Sequence, residues 1–201
     1  MMLDLPTKFD DLIISDVKIL NRLSQYAKGK RKGNILLYGL RGLGKTETAK
    51  IISKSQIPDD LDYEPLIIRS SINSEDFEKK IFGDWNFQKL MGIQSPYVVL
   101  DEVDELTNKQ QRILRATLDN YQSMGNVVMT TNHKERLDLP LVDRCDGIEM
   151  PLIDPTQWLD RAQKYLKTKN KNLKDQSVLK VLMTCDGSIR DLNRAIDDLL
   201  Q

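Results

Sequence analysis

Cysteine and histidine are almost missing from this 201-residue chain. The two cysteines, Cys145 and Cys185, show neither metal-ligand spacing nor a disulfide framework. That excludes a disulfide-stapled fold and predicts a reducing compartment. The single histidine, His133, has no cysteine or acid at ligand spacing and reads as a loop residue. Long apolar runs are also lacking, and none approaches the roughly 20 residues that cross a membrane. The N-terminus, Met1-Met2-Leu3-Asp4-Leu5-Pro6, has neither the basic nor the apolar region of a secretory leader. A cytoplasmic protein with no membrane partner is expected. Neither sign of charge is in excess, since 30 Lys and Arg balance 30 Asp and Glu. Any contact with nucleic acid is therefore a local patch and not a global field. There is no internal repeat and no low-complexity tract.

What is present begins with Gly39-Leu40-Arg41-Gly42-Leu43-Gly44-Lys45-Thr46, which fits G-x-x-x-x-G-K-[ST]. It follows the apolar run Ile35-Leu36-Leu37-Tyr38 and leads into Glu47-Thr48-Ala49-Lys50-Ile51-Ile52, which reads as a helix. Strand, glycine-rich turn and helix is the context of a phosphate-binding loop. Glycines let successive backbone N–H groups point at a polyphosphate, and the helix N-terminus adds partial positive charge. Lys45 is placed to reach the β- and γ-phosphates, and the Thr46 hydroxyl to ligate Mg²⁺. Gly39, Leu40, Arg41, Gly42, Leu43, Gly44, Lys45, Thr46 and Glu47 are thus the expected nucleotide-binding segment.

Further apolar, β-rich runs alternate with helical patterns. Strands are expected at residues 35–38, 66–69, 97–100, 127–130 and 148–150, and helices at 16–28, 45–54, 74–82 and 109–122. Alternation of this kind implies a parallel sheet in a three-layer αβα domain. Thr107-Asn108-Lys109-Gln110 has capping-box form and marks a helix start. The character changes after Met150. Pro151 and Pro155 punctuate a link, and helical patterns follow at residues 156–167, 175–185 and 188–200 with no strand signal. The expected organisation is α/β: a P-loop domain with a five-stranded parallel sheet over residues 1–152, then a three-helix lid over residues 153–201.

Tyr97-Val98-Val99-Leu100-Asp101-Glu102 is an apolar strand ending in two acids. Ligands of parallel α/β sheets bind at the carboxyl ends of strands. Asp101 is then placed to hold the Mg²⁺ shell and Glu102 to orient an attacking water, the two carboxylate roles that hydrolysis needs. Val127-Val128-Met129-Thr130-Thr131-Asn132 is a second such strand, and Asn132 is a candidate to bond the γ-phosphate or the water. Arg144 suits phosphate oxygens by its planar guanidinium; the alternative is a salt bridge with Asp143 or Asp146. Arg190 starts a helix, a poor place for a cation, which invites either a functional role or pairing with Asp186 or Asp191.

Together these segments resemble the AAA+ ATPases, and within them the clamp-loader small subunits of replication factor C type. Pro6-Thr7-Lys8-Phe9-Asp10-Asp11-Leu12-Ile13 is similar to the family's N-terminal segment, so Phe9 and Ile13 are implied to lie along the adenine. Asp101 to Thr107, then Gln111, Leu114 and Arg115, resemble the Walker B strand and its following helix. Asn132 falls at sensor 1. Leu141-Val142-Asp143-Arg144-Cys145 resembles the Ser-Arg-Cys segment, whose arginine acts on a neighbour's ATP, and Gly187-Ser188-Ile189-Arg190-Asp191-Leu192 resembles sensor 2. Leu40-Arg41 stands where the family has two prolines, and Asp143 replaces the serine. The chain ends at Gln201, directly after the lid, where the family continues into a helical collar. The expectation is a fragment, or a minimal viral or mobile-element protein that assembles through its ATPase module alone.

The resemblance implies a ring or spiral of AAA+ subunits, homomeric or heteromeric, hydrolysing ATP between subunits to load or remodel a protein assembly on DNA. Partners implied are duplex or primer-template DNA and a sliding clamp or a helicase. A helicase loader or transposition-type ATPase is the alternative, and a nucleotide-gated scaffold with little turnover a third. Lys109, Arg112 and Arg115, spaced by three, are candidates to track duplex phosphates. The lysine-rich run from Arg161 to Lys174 reads as a solvated face. Ile81-Phe82-Gly83-Asp84-Trp85-Asn86-Phe87 reads as core packing plus a loop, or else as a partner contact.

Overall fold

A computed structural model of the chain describes residues 6–69 and 73–200. Residues 1–5, where no leader is expected, and Gln201 lie outside the described residues. The five apolar runs form one sheet from β1 (Ile35–Tyr38), β2 (Ile67–Arg69), β3 (Tyr97–Asp101), β4 (Asn126–Thr131) and β5 (Asp146–Glu149). All pairs are parallel, in the order β2-β3-β4-β1-β5. Parallel neighbours need crossovers, which α2 (Lys45–Lys54), α3 (Ser74–Leu90), α4 (Asn108–Asn120) and the short α5 (Leu139–Val142) supply, with α1 (Val17–Ala27) ahead of β1. β3 is buried at every position because helices cover both faces. The edge strands carry charge instead, Arg69 on β2 and Asp146 and Glu149 on β5.

Side chains alternate along each strand and so feed two cores. Leu36, Val98, Leu100 and Met129 pack against Ile81, Trp85, Leu114 and Leu118 of α3 and α4. Ile35, Leu37, Val99 and Val128 pack against Leu23 and Tyr26 of α1 and Ala49 and Ile52 of α2. A third core lies beyond β5, among α6 (Pro155–Thr168), α7 (Asp175–Leu182) and α8 (Ile189–Asp198). Ile13, from far upstream, packs into that third core. Asp154 caps α6 by accepting the Thr156 amide at 2.9 Å, with Pro155 in the first turn, and Ser188 caps α8.

The capping box at Thr107 is formed: its hydroxyl accepts the Gln110 amide and the Gln110 side chain accepts the Thr107 amide. The expected loop after residue 82 is corrected. α3 runs on through Gly83 to Leu90. Burial overrides the low helix propensity of glycine here, because Ile81, Trp85 and Gln88 are all inaccessible to solvent. Trp85 donates its indole N–H to the Asn126 carbonyl at 3.0 Å. Its ring comes so near Gly125 that a Cβ there would lie 2.3 Å from it.

Candidate active site

β1 lies between β4 and β5, so the turn that follows it opens beside the ends of β4 and β3. Leu37 and Tyr38 are in register with Thr130 and Thr131. Gly39, Gly42 and Gly44 all have positive φ, which lets the turn curl before α2 begins at Lys45. Lys45 is buried, and its Nζ donates to the carbonyls of Gly39 (2.9 Å) and Leu40 (2.6 Å). The carbonyls of Gly39 and Leu40 are thus the resting partners of the lysine, and neither residue is on the lining of the cleft. Burial pushes the Lys45 ammonium down to about 8, against the pull of Asp104 and Asp101.

A chain of hydroxyls and carboxylates joins the three strand ends. The Thr46 hydroxyl donates to Asp101 Oδ1 at 2.7 Å, and the Thr130 hydroxyl donates to the same oxygen at 2.7 Å. The Glu102 amide donates to Thr130 Oγ1 at 3.1 Å. Glu102 itself is left-handed, with φ 55° and ψ 51°, a conformation that L residues other than Asn and Asp rarely take. Backbone strain of this kind concentrates at functional sites. Asp104 adds a second link, accepting from the Thr131 hydroxyl at 2.7 Å and the Asn132 amide at 3.3 Å.

Lys45, Thr46, Glu102, Asn132 and Arg190 line one open cleft. Glu47 lies on it too, and Arg41, Gly42, Leu43 and Gly44 form its floor. Arg190 is exposed at the start of α8, and the acids proposed as its partners are occupied by backbone: Asp186 accepts the Ser188 amide and Asp191 the Asp186 amide. Arg144 is not on this cleft. Its guanidinium grips Asp119 through Nε (2.7 Å) and Nη2 (2.8 Å), so the expected pairing with Asp143 or Asp146 is corrected. Asp146 instead binds Arg22, Arg31 and the Tyr26 hydroxyl. Arg115 is likewise committed, to Asp138 at 2.8 Å, which leaves Lys109 and Arg112 as the exposed members of that trio. His133 sits in the loop after β4, 3.0 Å from Glu135, and no cluster of metal-binding residues occurs among the described residues.

A second, apolar cleft adjoins the first. Leu12, Ile13 and Ile14 form one wall, Leu43 and Gly44 the floor, and Trp158 and Asn193 the lid side. Phe9, also expected along a base, packs against the core beside α1 and α2 and is not part of this lining. Two bonds tie the N-terminal segment to the lid. Arg161 donates to the Asp11 carbonyl at 3.1 Å, and the Asp154 amide donates to Ser15 Oγ at 2.7 Å. A third joins lid to loop, from the Ile189 amide to the Gly42 carbonyl at 2.8 Å. Asp104, Thr130, Trp158 and Asn193 were not among the expected site residues. Thr130 and Asp104 carried a readable signal, polar groups at the ends of apolar strands; Trp158 and Asn193 carried none, because only folding brings them there.

Comparison with known proteins agrees with this geometry. The chain is 26% identical over 192 residues to a replication factor C small subunit of Methanosphaera stadtmanae, covering 92% of this chain and 58% of that one. It is 22% identical to replication factor C subunit 4 of Caenorhabditis elegans, again over 95% of this chain and 58% of the relative. The chain thus spans under two thirds of the length of these relatives. The RuvB Holliday junction branch migration motor of Thermotoga maritima superposes with a TM-score of 0.76 at 18% identity, over 96% of this chain and 64% of that one. Domain III of the Thermotoga maritima replication initiation protein DnaA superposes with a TM-score of 0.68 at 20% identity, over 100% of this chain and 90% of that one. The profile of the ATPase family associated with various cellular activities matches residues 35–151, the stretch that holds the sheet and all its strand-end carboxylates, and the chain belongs to that family, AAA.

Proposed function

We propose that the protein binds Mg²⁺-ATP between an α/β part (residues 1–152) and a helical lid (residues 153–201), hydrolyses it where subunits meet, and uses the cycle to load or remodel a protein assembly on DNA in the manner of a clamp loader. The observation that carries the catalytic reading is the relay from Thr46 through Asp101 and Thr130 to Glu102. A hydroxyl and a carboxylate 2.7 Å apart at the loop's mouth are the oxygen pair that a hard cation takes, so Thr46 and Asp101 fit Mg²⁺. Bound there, Mg²⁺ supplies neutralisation of charge on the β- and γ-phosphates. Lys45 exchanges its two carbonyl partners for terminal phosphate oxygens. Glu102 is held by its strained backbone beside Thr130, with its carboxylate free to orient water, and Asn132 and Arg190 face the same space.

The place of Arg144 off its own cleft supports action on a neighbour's nucleotide. Similarity to replication factor C small subunits supports the clamp-loading role. The deciding experiment is mixing. Glu102→Gln should keep nucleotide but lose turnover by about 10²–10⁴-fold, and Arg144→Ala should also be inactive while still binding nucleotide. Combined, the two can form one composite site with both groups intact, so ATPase activity should partly return. No recovery in confirmed mixed assemblies would remove the trans-acting arginine. Stimulation by primer-template DNA with a sliding clamp supports clamp loading; stimulation by a helicase supports the helicase-loader alternative; nucleotide-driven assembly without turnover supports a scaffold.

A further inference from the structure

Two buried side-chain atoms have no hydrogen-bond partner among the described residues: the indole Nε1 of Trp158 and the amide oxygen Oδ1 of Asn193. Both residues line the apolar cleft beside the phosphate loop. One offers a single N–H donor, from α6; the other an acceptor, from α8. Buried polar groups in folded proteins are almost always bonded, and an orphan calls for an explanation. A donor and an acceptor orphaned on the same small cleft point to an occupant that carries the reverse pair.

The rest of the cleft says what shape that occupant has. Leu12, Ile13 and Ile14 on one side and Leu43 and Met150 on another give apolar walls suited to a flat ring. The cavity holds only about 60 Å³, room for a few waters. A ring must therefore spread the lid from the N-terminal segment, and that movement is what gives it access to the two sealed atoms. The Arg161 guanidinium, also on this cleft, lies 5.2 Å over the Trp158 ring and is anchored on the Asp11 carbonyl.

We propose that Trp158 and Asn193 select the base: Nε1–H donates to a ring nitrogen of adenine, and Oδ1 accepts the exocyclic amine. Guanine in the same pose sets its O6 against Asn193 Oδ1, acceptor facing acceptor, and is disfavoured by the cost of turning the amide over. A site that buries unpaired polar groups discriminates against a ligand that fails to pair them. This inference rests on the nucleotide-site reading of the adjoining cleft.

The test is equilibrium binding of triphosphates to the full chain. The probes are ATP, GTP, purine riboside triphosphate (which lacks the amine), and 7-deaza- and 1-deaza-ATP. Wild type should prefer ATP to purine riboside triphosphate by about tenfold. Asn193→Leu should bind the two equally and should lose the preference for ATP over GTP. Its melting temperature without nucleotide should not fall, since the acceptor removed has no partner there. Trp158→Phe, which keeps a ring and loses the donor, should erase the penalty on one of the two deaza analogues, and it carries the test if the leucine variant fails to fold. Unchanged selectivity in both variants overturns base selection and leaves the nucleotide site standing. A wild-type chain that binds no triphosphate overturns both.

Discussion

Lys45 is a cation folded into a place that favours its neutral form. Its pKa of about 8, against an ordinary 10.5, comes chiefly from burial, and the carbonyls of Gly39 and Leu40 are its bonded partners among the described residues. Bound triphosphate would bring several negative charges to the ammonium and restore the proton. The sign follows by linkage: the free site loses its proton above pH 8 and the occupied site retains it, so binding takes up protons and affinity falls as pH rises from 8 to 10.5. Titration calorimetry of ATP in buffers of different ionisation enthalpy should register uptake of about half a proton per nucleotide at pH 8, and almost none in Lys45→Arg. Uptake that persists in Lys45→Arg would assign the proton to another group. At this scale the sequence was eloquent where chemistry is local. The glycines, Lys45 and Thr46 are consecutive, and so are Asp101 and Glu102. It was mute on Asp119, whose partner Arg144 lies 25 residues downstream.

α4 works as a clasp. Gln111, Arg115 and Asp119 are four residues apart and share one face. The Gln111 side chain accepts the Asp138 amide at 2.7 Å and donates to the Leu106 and Arg136 carbonyls. Arg115 holds the Asp138 carboxylate, and Asp119 holds Arg144. The segment from Arg136 to Arg144 is thereby fixed to the helix that starts behind Glu102. This reduces what α4 has left for DNA. Lys109→Ala with Arg112→Ala should lower the salt dependence of DNA binding by about two phosphate contacts per protomer engaged, whereas Arg115→Ala should leave that slope unchanged. Anisotropy across a salt series measures it, and a slope lowered equally by Arg115→Ala would place that residue on phosphate despite Asp138. The start of α4 was legible because its capping box is a four-residue matter. The end of α3 was not, because Gly83 argues against a helix and only the burial of Trp85 and Gln88 under β3 and β4 argues for one.

Across the whole molecule, the apolar cleft gathers residues from both ends of the chain: Ile13 and Ile14, then Leu43 and Gly44, then Trp158 and Asn193. No local pattern announces such a meeting, which is why the phosphate loop could be read from a run of residues, Ile13 only through the family resemblance, and Trp158 and Asn193 not at all. The same convergence bears on how nucleotide would leave the proposed site. The Ile189 amide bonds the Gly42 carbonyl, and Ile189 Cδ1 rests so close to Gly44 that a Cβ there would lie 2.8 Å away. On the proposed binding mode, a nucleotide beneath α8 departs only after this contact parts. Ile189→Ala gives up about 1 kcal/mol of apolar contact and should speed release of a fluorescent ADP in a stopped-flow chase about fivefold; an unchanged rate would put the gate elsewhere. Under the proposed cycle, the contact between Ile189 and the phosphate loop is a clock. It sets how long a subunit would stay committed after its reaction is over, and it lets that pause be tuned from the lid while Lys45, Thr46 and Glu102 are left as they are.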